Sequence, residues 1–191
     1  MMKPEEVDNS AWSILEAAAN DPQSGFRFLN LCSVDQNDRP QARMVVLRRV
    51  DKLERLLEIH TDTRSLKWLE LSQRPFATIL GFCASSRIQL RLTGTVCLHP
   101  SGSDLADNAW SRLSAWTRST YAGGPPGDES NQDEPVSIQA GAEVDGKAFF
   151  GVITFKAESL DWFQLQRVGN RRTMLDYDDL GVLIASRWVN P

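Results

Sequence analysis

The strongest constraint on the fold is a succession of short apolar runs that are separated by tight polar turns. The first two runs flank a cluster of turn-forming residues at 36–40, which predicts a β-hairpin. Consecutive short strands with few helices between them favour a mainly β fold, in which an antiparallel sheet closes into a β-barrel with flanking helices. The predicted strands are residues 26–34, 41–50, 56–60, 76–83, 88–98, 149–157, 160–166 and 182–189.

Helices are expected at three places along the chain. Ser10 can cap an N-terminal helix over about residues 10–20, because apolar residues then recur at helical spacing. Thr63 can cap a second helix, which ends before the Arg-Pro pair that follows it. A third helix is predicted over residues 103–119.

A chain of 191 residues suits one domain with its own core, so residues 1–191 are predicted to form a single domain. Its main irregular stretch runs from about 121 to 146 and is rich in Gly, Pro, Asp and Ser. This composition predicts a long loop with a short helix near 135–140. Residues 174–179 fit neither a helix nor a strand clearly.

Composition and charge exclude several classes of protein. The formal net charge of -4 argues against a nucleic-acid-binding protein, because such proteins carry a basic surface. Neither a signal peptide nor an apolar run of membrane-spanning length is found, so a cytoplasmic protein without a membrane partner is expected. The three cysteines have no C-x-x-C spacing and the histidines number two, so neither a disulfide framework nor a metal site is predicted.

Two arginines flank the apolar centre of the second predicted strand. Strand alternation puts Arg43 on one face together with Val45. It puts Arg48 on the other face together with Val46. An arginine that points into or across a barrel mouth needs an anionic partner. A surface-facing arginine at each end of the strand is the alternative.

The second notable segment lies where the third predicted strand gives way to a helix. A helix N-terminus offers free backbone N–H groups and the positive end of the helix dipole. With Arg64, Ser65 and Lys67 beside it, the junction can form a phosphate cradle that needs no glycine-rich loop. The alternative is an ordinary capped helix with solvated charges.

The third segment is the strand at 87–94, where Gln89, Arg91 and Thr93 share one face. A glutamine side chain both donates and accepts hydrogen bonds, so it can recognise the edge of a planar heterocycle such as a flavin. The alternative is a half-exposed strand whose polar side chains face solvent.

Taken together and in order, the three segments resemble the pyridoxamine 5'-phosphate oxidase-like, FMN-binding split-barrel family. The motifs are Arg-x-Val-Val-Leu-Arg at 43–48, Thr-Asp-x-Arg-Ser-x-Lys at 61–67 and Gln-x-Arg-x-x-Gly at 89–94. The C-terminal residues 186–191 resemble the family's Arg-Leu-x-Pro ending. The resemblance covers residues 25–191, and it implies an antiparallel Greek-key split barrel and a homodimer with FMN at the subunit interface.

The resemblance also implies which residues contact FMN. Arg43 reaches the phosphate, and Arg64 compensates for an arginine that the family has where this chain has Leu66. Gln89 faces the ring across the dimer interface, and Phe163 stands where the family has a tryptophan. The implied FMN contacts are Arg43, Met44, Val45, Val46, His60, Thr61, Arg64, Ser65, Lys67, Gln89, Phe163 and one or both of Arg171 and Arg172. Phe163 and Trp162 either cover or flank the ring or belong to the barrel core.

The implied function is an FMN-dependent oxidoreductase that acts on pyridoxamine or pyridoxine 5'-phosphate or on another small substrate, with the flavin supplying the redox chemistry. Arg48 replaces the family's substrate-binding lysine, so it is implied in substrate binding. The family's Arg-x-His substrate pair has no clear match around residues 169–173. Two alternatives remain open: a non-catalytic FMN carrier or sensor, and a relative that holds heme or a different flavin.

Overall fold

The computed structural model describes residues 3–129 and 146–191, and in this part of the chain no helix is long and apolar enough to cross a membrane. The elements in chain order are α1 (Pro4–Ala18), β1 (Phe28–Val34), β2 (Pro40–Asp51), β3 (Leu56–Asp62), α2 (Leu66–Gln73), β4 (Phe76–Cys83), β5 (Ile88–His99), α3 (Asp104–Ser111), α4 (Ala115–Ser119), a 3-10 helix (Gly146–Phe149), β6 (Phe150–Gln164), β7 (Arg171–Tyr177) and β8 (Leu183–Val189).

The strands form one antiparallel sheet in the order β3-β2-β1-β4-β5-β6-β7-β8. An additional pairing between β3 and β6 closes the first six strands into a barrel, and β7 and β8 extend the sheet beyond it. After the β1-β2-β3 meander, β4 returns to lie beside β1, which is a Greek-key arrangement. The predicted mainly β barrel with flanking helices is therefore confirmed.

Two apolar clusters hold these elements together. Alternate residues of each barrel strand point inward, and α1 closes one side of this main core with Trp12 and Leu15. A smaller cluster lies outside the barrel, where α3 covers the start of β6. In this cluster, the ring centroid of Phe150 lies 5.2 Å from that of Trp110 and 5.1 Å from that of Tyr121.

The two strands that were predicted at 149–157 and 160–166 are a single strand, β6. The prediction of two strands was wrong because the polar residues Glu158 and Ser159 form a β-bulge and not a turn. Gly94 pairs with Ala157 and the preceding residue of β5 pairs with Ser159, so Glu158 is the extra residue. A side chain at Gly94 would overlap the carbonyl oxygen of Lys156, which explains the glycine that ends the third motif.

The helix boundaries also differ from those predicted. Ser10 lies inside α1, which begins at Pro4 because proline suits the first turn of a helix. Ser65, and not Thr63, is the N-cap of α2, since Asp62 accepts the backbone N–H of Arg64 in a turn that delays the helix. The single helix predicted at 103–119 is two helices, α3 and α4, and the second has its own N-cap serine, which accepts a backbone N–H of α4.

The predicted loop at about 121–146 lies largely outside the described residues, and so does the short helix expected near 135–140. Residues 174–179, which the pattern left open, contribute to β7 as far as Tyr177.

A buried polar network ties the N-terminal helix to two turns of the sheet. Arg55 donates to Asp8 at 2.7 Å and to the carbonyl of Gly181 at 3.1 Å. Tyr177 donates to Asp8 at 2.6 Å and accepts a hydrogen bond from the indole N–H of Trp12 at 2.9 Å. The Arg55 guanidinium lies over both aromatic rings, with centroid distances of 5.1 and 4.9 Å. One arginine therefore joins α1, the β2–β3 turn and the β7–β8 turn.

Arg55→Met should lower the free energy of unfolding by about 3–5 kcal/mol, because it leaves Asp8 as an uncompensated buried charge. Arg187→Met is the matched control, since it breaks the exposed ion pair with Asp176 and should cost about 0–1 kcal/mol. Urea denaturation followed by tryptophan fluorescence measures both values. Equal losses in the two variants would show that the buried network does not anchor α1.

Candidate functional site

A group of polar side chains lies where β3 passes into α2. Thr61 and Ser65 are buried, and their hydroxyl oxygens are 3.4 Å apart. Lys67, in the first turn of α2, donates from its ammonium to Thr61 Oγ1 at 3.0 Å. The first turn of α2 contains no acidic residue, so its free N–H groups and its dipole favour an anion here. Thr61, Ser65 and Lys67 of the second motif therefore lie together at this junction.

Arg43 reaches the same end of the barrel from β2, where it faces inward in the register of Val45. Its guanidinium forms an ion pair with Glu70 at 2.6 Å and donates to Ser33 Oγ. Burial and the nearby Arg43 charge lower the pKa of Lys67. Arg43 and Lys67 are thus close enough to repel each other, and Glu70 offsets only one of the two positive charges.

This arrangement fits a phosphate group. Glu70 offsets one of the two positive charges, and the other nearby carboxylate, Asp62, is paired with Arg64, so a doubly charged anion would relieve the repulsion between Arg43 and Lys67. In the described part of the chain, the ammonium of Lys67 makes one hydrogen bond, to Thr61, which leaves further N–H donors for a ligand. We call the group of Arg43, Thr61, Ser65 and Lys67 the cradle.

Arg64 is bound elsewhere. It forms a bidentate ion pair with Asp62, stacks 3.6 Å from the ring centroid of Phe149 and donates to the carbonyl oxygen of Tyr121. The hydrogen bonds that Arg64 donates to Asp62 raise the pKa of Arg64. Among the described residues, its guanidinium forms no hydrogen bond or ion pair with the cradle.

Two buried nitrogen atoms on the outer face of β2 and β3 lack a hydrogen-bond partner in the described chain: Nε of Arg48 and Nδ1 of His60. The other ring nitrogen of His60 lies 3.0 Å from Glu58, and the ring packs edge-on against Phe150. Arg48 is close enough to Tyr121 to oppose the rise in the tyrosine's pKa that burial causes. Unpartnered buried polar atoms raise the free energy of the folded state, so this position suits a ligand that supplies an acceptor to Arg48 Nε–H and a hydrogen-bond partner to His60 Nδ1.

A second set of predicted residues lies at the far end of the barrel. Gln89 is opposite Phe163 in the β5–β6 ladder, and Phe163 is opposite Arg172 in the β6–β7 ladder, so the three form one row across the sheet. Arg171 stacks on Trp188 at 4.4 Å. Trp162 points the other way and is buried in the main core, which decides between its two predicted roles.

Within one chain, the row of Gln89, Phe163 and Arg172 lies far from the cradle. Thr61 of the cradle pairs with Gly151, whereas Gln89 pairs with Phe163. Those two partners lie twelve positions apart on β6, a path of about 40 Å along an extended strand. The predicted FMN contacts therefore form two groups at opposite ends of one strand.

The outer face of the sheet between these two groups carries exposed apolar side chains. Phe28 and Met44 are each more than half exposed. Phe82, which is opposite Gln89, is also exposed, and Val46 is opposite Phe28. An apolar face of this kind on a sheet is typical of a surface that another molecule covers.

Sequence reasoning missed the carboxylates that hold these cations. Glu70 lies three residues after Lys67 on α2, a spacing that places both on one helix face and could have indicated their proximity. Asp161 binds both Arg91 and Arg172, and Glu58 binds His60. The contacts of Asp161 join separate strands, so no local pattern in the sequence indicated them. Glu58 and His60 lie two residues apart on one face of β3, a spacing that could have indicated their contact.

Comparison with known proteins places these features in context. Residues 9–100 match the family model described as "Pyridoxamine 5'-phosphate oxidase, FMN-binding domain". The chain is 28% identical over 122 residues to pyridoxine/pyridoxamine 5'-phosphate oxidase 2 of Arabidopsis thaliana, which covers 61% of this chain and 62% of the relative. It is 33% identical over 106 residues to the pyridoxine/pyridoxamine 5'-phosphate oxidase of Mannheimia succiniciproducens, covering 53% and 47%. The match therefore spans less than two thirds of either relative.

Solved structures share the fold along nearly the whole chain. A pyridoxamine 5'-phosphate oxidase-related, FMN-binding protein of Nostoc punctiforme superposes with a TM-score of 0.77 at 24% identity, covering 95% of this chain and 96% of that one. PhzG of Burkholderia lata superposes with a TM-score of 0.75 at 15% identity, covering 100% and 98%. Residues 9–100 therefore contain the FMN-binding domain of the pyridoxamine 5'-phosphate oxidase family, and the barrel as a whole has the fold of these solved structures.

Proposed function

We propose that this protein is a cytoplasmic homodimeric oxidoreductase that binds two FMN molecules, each between the cradle of one subunit and the ring-facing row of the other. The observation that carries this proposal is the separation of the two groups of predicted FMN contacts along β6. In a twofold dimer, the row of one subunit can lie against the cradle of its partner. The exposed apolar face between the two groups supplies a surface for that contact.

In this proposal the cradle holds the FMN phosphate. Arg43 and Lys67 supply the charge, and Ser65 and Thr61 supply hydroxyl groups. On β2, the residues that follow Arg43, namely Met44, Val45 and Val46, run beside the ring system. His60 flanks the ring system from β3. Arg64 joins the cradle only if it exchanges Asp62 for the phosphate.

The partner's row would hold the flavin ring. Its Gln89 offers both a donor and an acceptor to the ring edge, and Phe163 covers a face of the ring with its own aromatic surface. Arg172 stands next to Phe163, and Arg171 is one residue away. Closing the ring between two protein surfaces excludes water from it.

FMN supplies the capacity to accept a hydride and to pass the electrons on. The chain's own residues bind the substrate: Arg48, with its unpartnered buried Nε, would hold an anionic group such as a phosphate. His60 would keep its ring fixed through Glu58 and present Nδ1. The substrates that fit are pyridoxamine 5'-phosphate, pyridoxine 5'-phosphate and other small molecules with an anionic group.

Replacing both Arg43 and Lys67 by alanine should weaken FMN binding by several kcal/mol, since each charged hydrogen bond contributes roughly 1.5–3 kcal/mol. Flavin absorbance titration of the dialysed protein measures the affinity. Arg74→Gln, which removes an equally ion-paired and partly exposed arginine, is the control and should bind FMN like the wild type. An unchanged affinity in the double variant would contradict the cradle, and a Soret band in the purified protein would indicate heme.

Mixed dimers test the sharing of each site between subunits. One subunit carries Arg43→Ala and Lys67→Ala, and the other carries Gln89→Ala and Arg172→Ala. If the two groups meet across the interface, one of the two sites in the mixed dimer keeps an intact cradle and an intact row, so half the FMN sites should regain tight binding.

Each parental homodimer, by comparison, has two damaged sites and should bind FMN weakly. Differently tagged subunits allow the mixed dimer to be isolated, and its flavin content gives the occupancy. If no tight site returns in the mixed dimer, or if the protein is a monomer by light scattering, the shared site is wrong.

Turnover distinguishes an enzyme from an FMN carrier or sensor. Pyridoxamine 5'-phosphate should reduce the bound flavin, and Arg48→Met should lower kcat/KM for phosphorylated substrates by roughly tenfold to a hundredfold through the loss of a charged hydrogen bond. The unphosphorylated counterparts should show no such dependence on Arg48. Bound FMN that no substrate of this panel reduces would favour the carrier or sensor.

A further inference from the structure

A compact group of charges lies directly beside the row of Gln89, Phe163 and Arg172. Asp161 of β6 is buried, and its carboxylate accepts a hydrogen bond from Arg91 at 2.7 Å. The same carboxylate accepts two hydrogen bonds from Arg172, at 2.9 and 2.8 Å. One carboxylate therefore holds two guanidinium groups from the neighbouring strands β5 and β7.

The group has an excess of positive charge on the outer face of the sheet. Two guanidinium groups share one carboxylate, which leaves one positive charge uncompensated within the group. Arg91 and Asp161 are directly opposite each other, and Arg91 lies two residues from Gln89 on the same face of β5. The side chain of Arg91 is 45% exposed, so it is available to a molecule that covers this face.

We propose that Arg91 is a further cofactor-facing residue, and that Asp161 is a positioning residue which holds Arg91 and Arg172 as a cationic pair beside the flavin ring of the partner subunit. This inference rests on the shared FMN site proposed above. It adds a specific role to the third motif, because Arg91 is the arginine of Gln-x-Arg-x-x-Gly.

The role follows from the charge change that reduction produces. When a reductant delivers two electrons and the ring takes up one proton, the ring becomes more negative by one charge. A fixed positive charge beside the ring stabilises the reduced form more than the oxidised form, and so raises the reduction potential. The hydrogen bonds to Asp161 fix the two guanidinium groups before the electrons arrive, so little reorganisation is needed.

A purely structural role is the alternative, and its expected consequences differ. A buried carboxylate needs partners, so removing Arg91 would leave Asp161 with Arg172 alone and lower the stability of the sheet. A structural role would change the urea midpoint and leave the potential of bound FMN where it was. A charge effect on the ring moves the potential and depends on charge more than on side-chain shape.

The test is the midpoint potential of bound FMN, measured by titrating the holoprotein with dithionite in the presence of an indicator dye. Arg91→Gln should shift the potential to a more negative value, and Arg91→Lys, which keeps the charge, should restore most of that shift. Arg74→Gln is the matched control, because Arg74 is also ion-paired and its side chain is 40% exposed, and it should leave the potential unchanged.

Mixed dimers show which subunit's Arg91 acts on each FMN. One subunit has its cradle removed by Arg43→Ala and Lys67→Ala, so FMN binds tightly at the cradle of the other subunit alone. Arg91→Gln placed in the subunit without a cradle should shift the potential. The same substitution placed in the subunit with the intact cradle should leave it near the wild-type value.

The outcomes are separable. If Arg91→Gln shifts the potential no more than Arg74→Gln does, or shifts only the urea midpoint, the proposed role of Arg91 is wrong while the FMN site stands. If Arg91→Lys behaves like Arg91→Gln, the effect is not one of charge and the proposal also fails. A wild-type protein that takes up no FMN would overturn both this inference and the proposed function.

Discussion

The hydrogen bonds between β3 and β6 are the interaction on which the rest of the structure depends. They turn an open sheet into a closed barrel, and they fix the cradle, because Thr61 pairs with Gly151 near the start of β6. The same long strand then continues past the bulge at Glu158 to carry Asp161 and Phe163. A single strand thereby sets the spacing between the two groups of predicted FMN contacts, which in the proposed dimer meet across the subunit interface.

Much of the fold could be predicted from the sequence, because alternation and turn chemistry are local. The strands at 76–83 and 88–98 and the hairpin around 36–40 needed only these local signals. The bulge at Glu158 was missed because its two polar residues look like a turn, and only the register against Gly94 shows otherwise. The same difficulty affected Trp162 and Phe163, whose inward or outward direction depends on the residues that a bulge inserts upstream.

Some contacts of the candidate site could also be predicted from residues close together in the sequence, whereas others depend on how distant elements pack. The cradle comes from residues at one strand-to-helix junction plus Arg43, so the motif order was enough to group them. The partners of the cations could not be predicted, because Arg43 with Glu70 joins a strand to a helix. Asp161 with Arg172 joins two strands whose register is set by the whole sheet. Arg64 illustrates the limit, since its neighbour Asp62 binds it more closely than the motif suggested.

Glu70 and Asp161 hold the cations of the candidate site in place in the folded protein before any anion binds. Arginines and lysines without partners would repel one another and lower the stability of the site; at the cradle, burial and the Arg43 charge together lower the pKa of Lys67. One carboxylate per pair of cations keeps the geometry fixed and leaves a surplus of positive charge, with Glu70 in this role at the cradle and Asp161 at the ring-facing row. In the proposed site, a further carboxylate without a cation of its own would cancel the attraction for a phosphate or a reduced ring, whereas Asp62, which also lies near Lys67, is paired with Arg64. With none, the guanidinium groups would lose charged hydrogen bonds worth roughly 1.5–3 kcal/mol each, and with them the fixed orientation on which recognition depends.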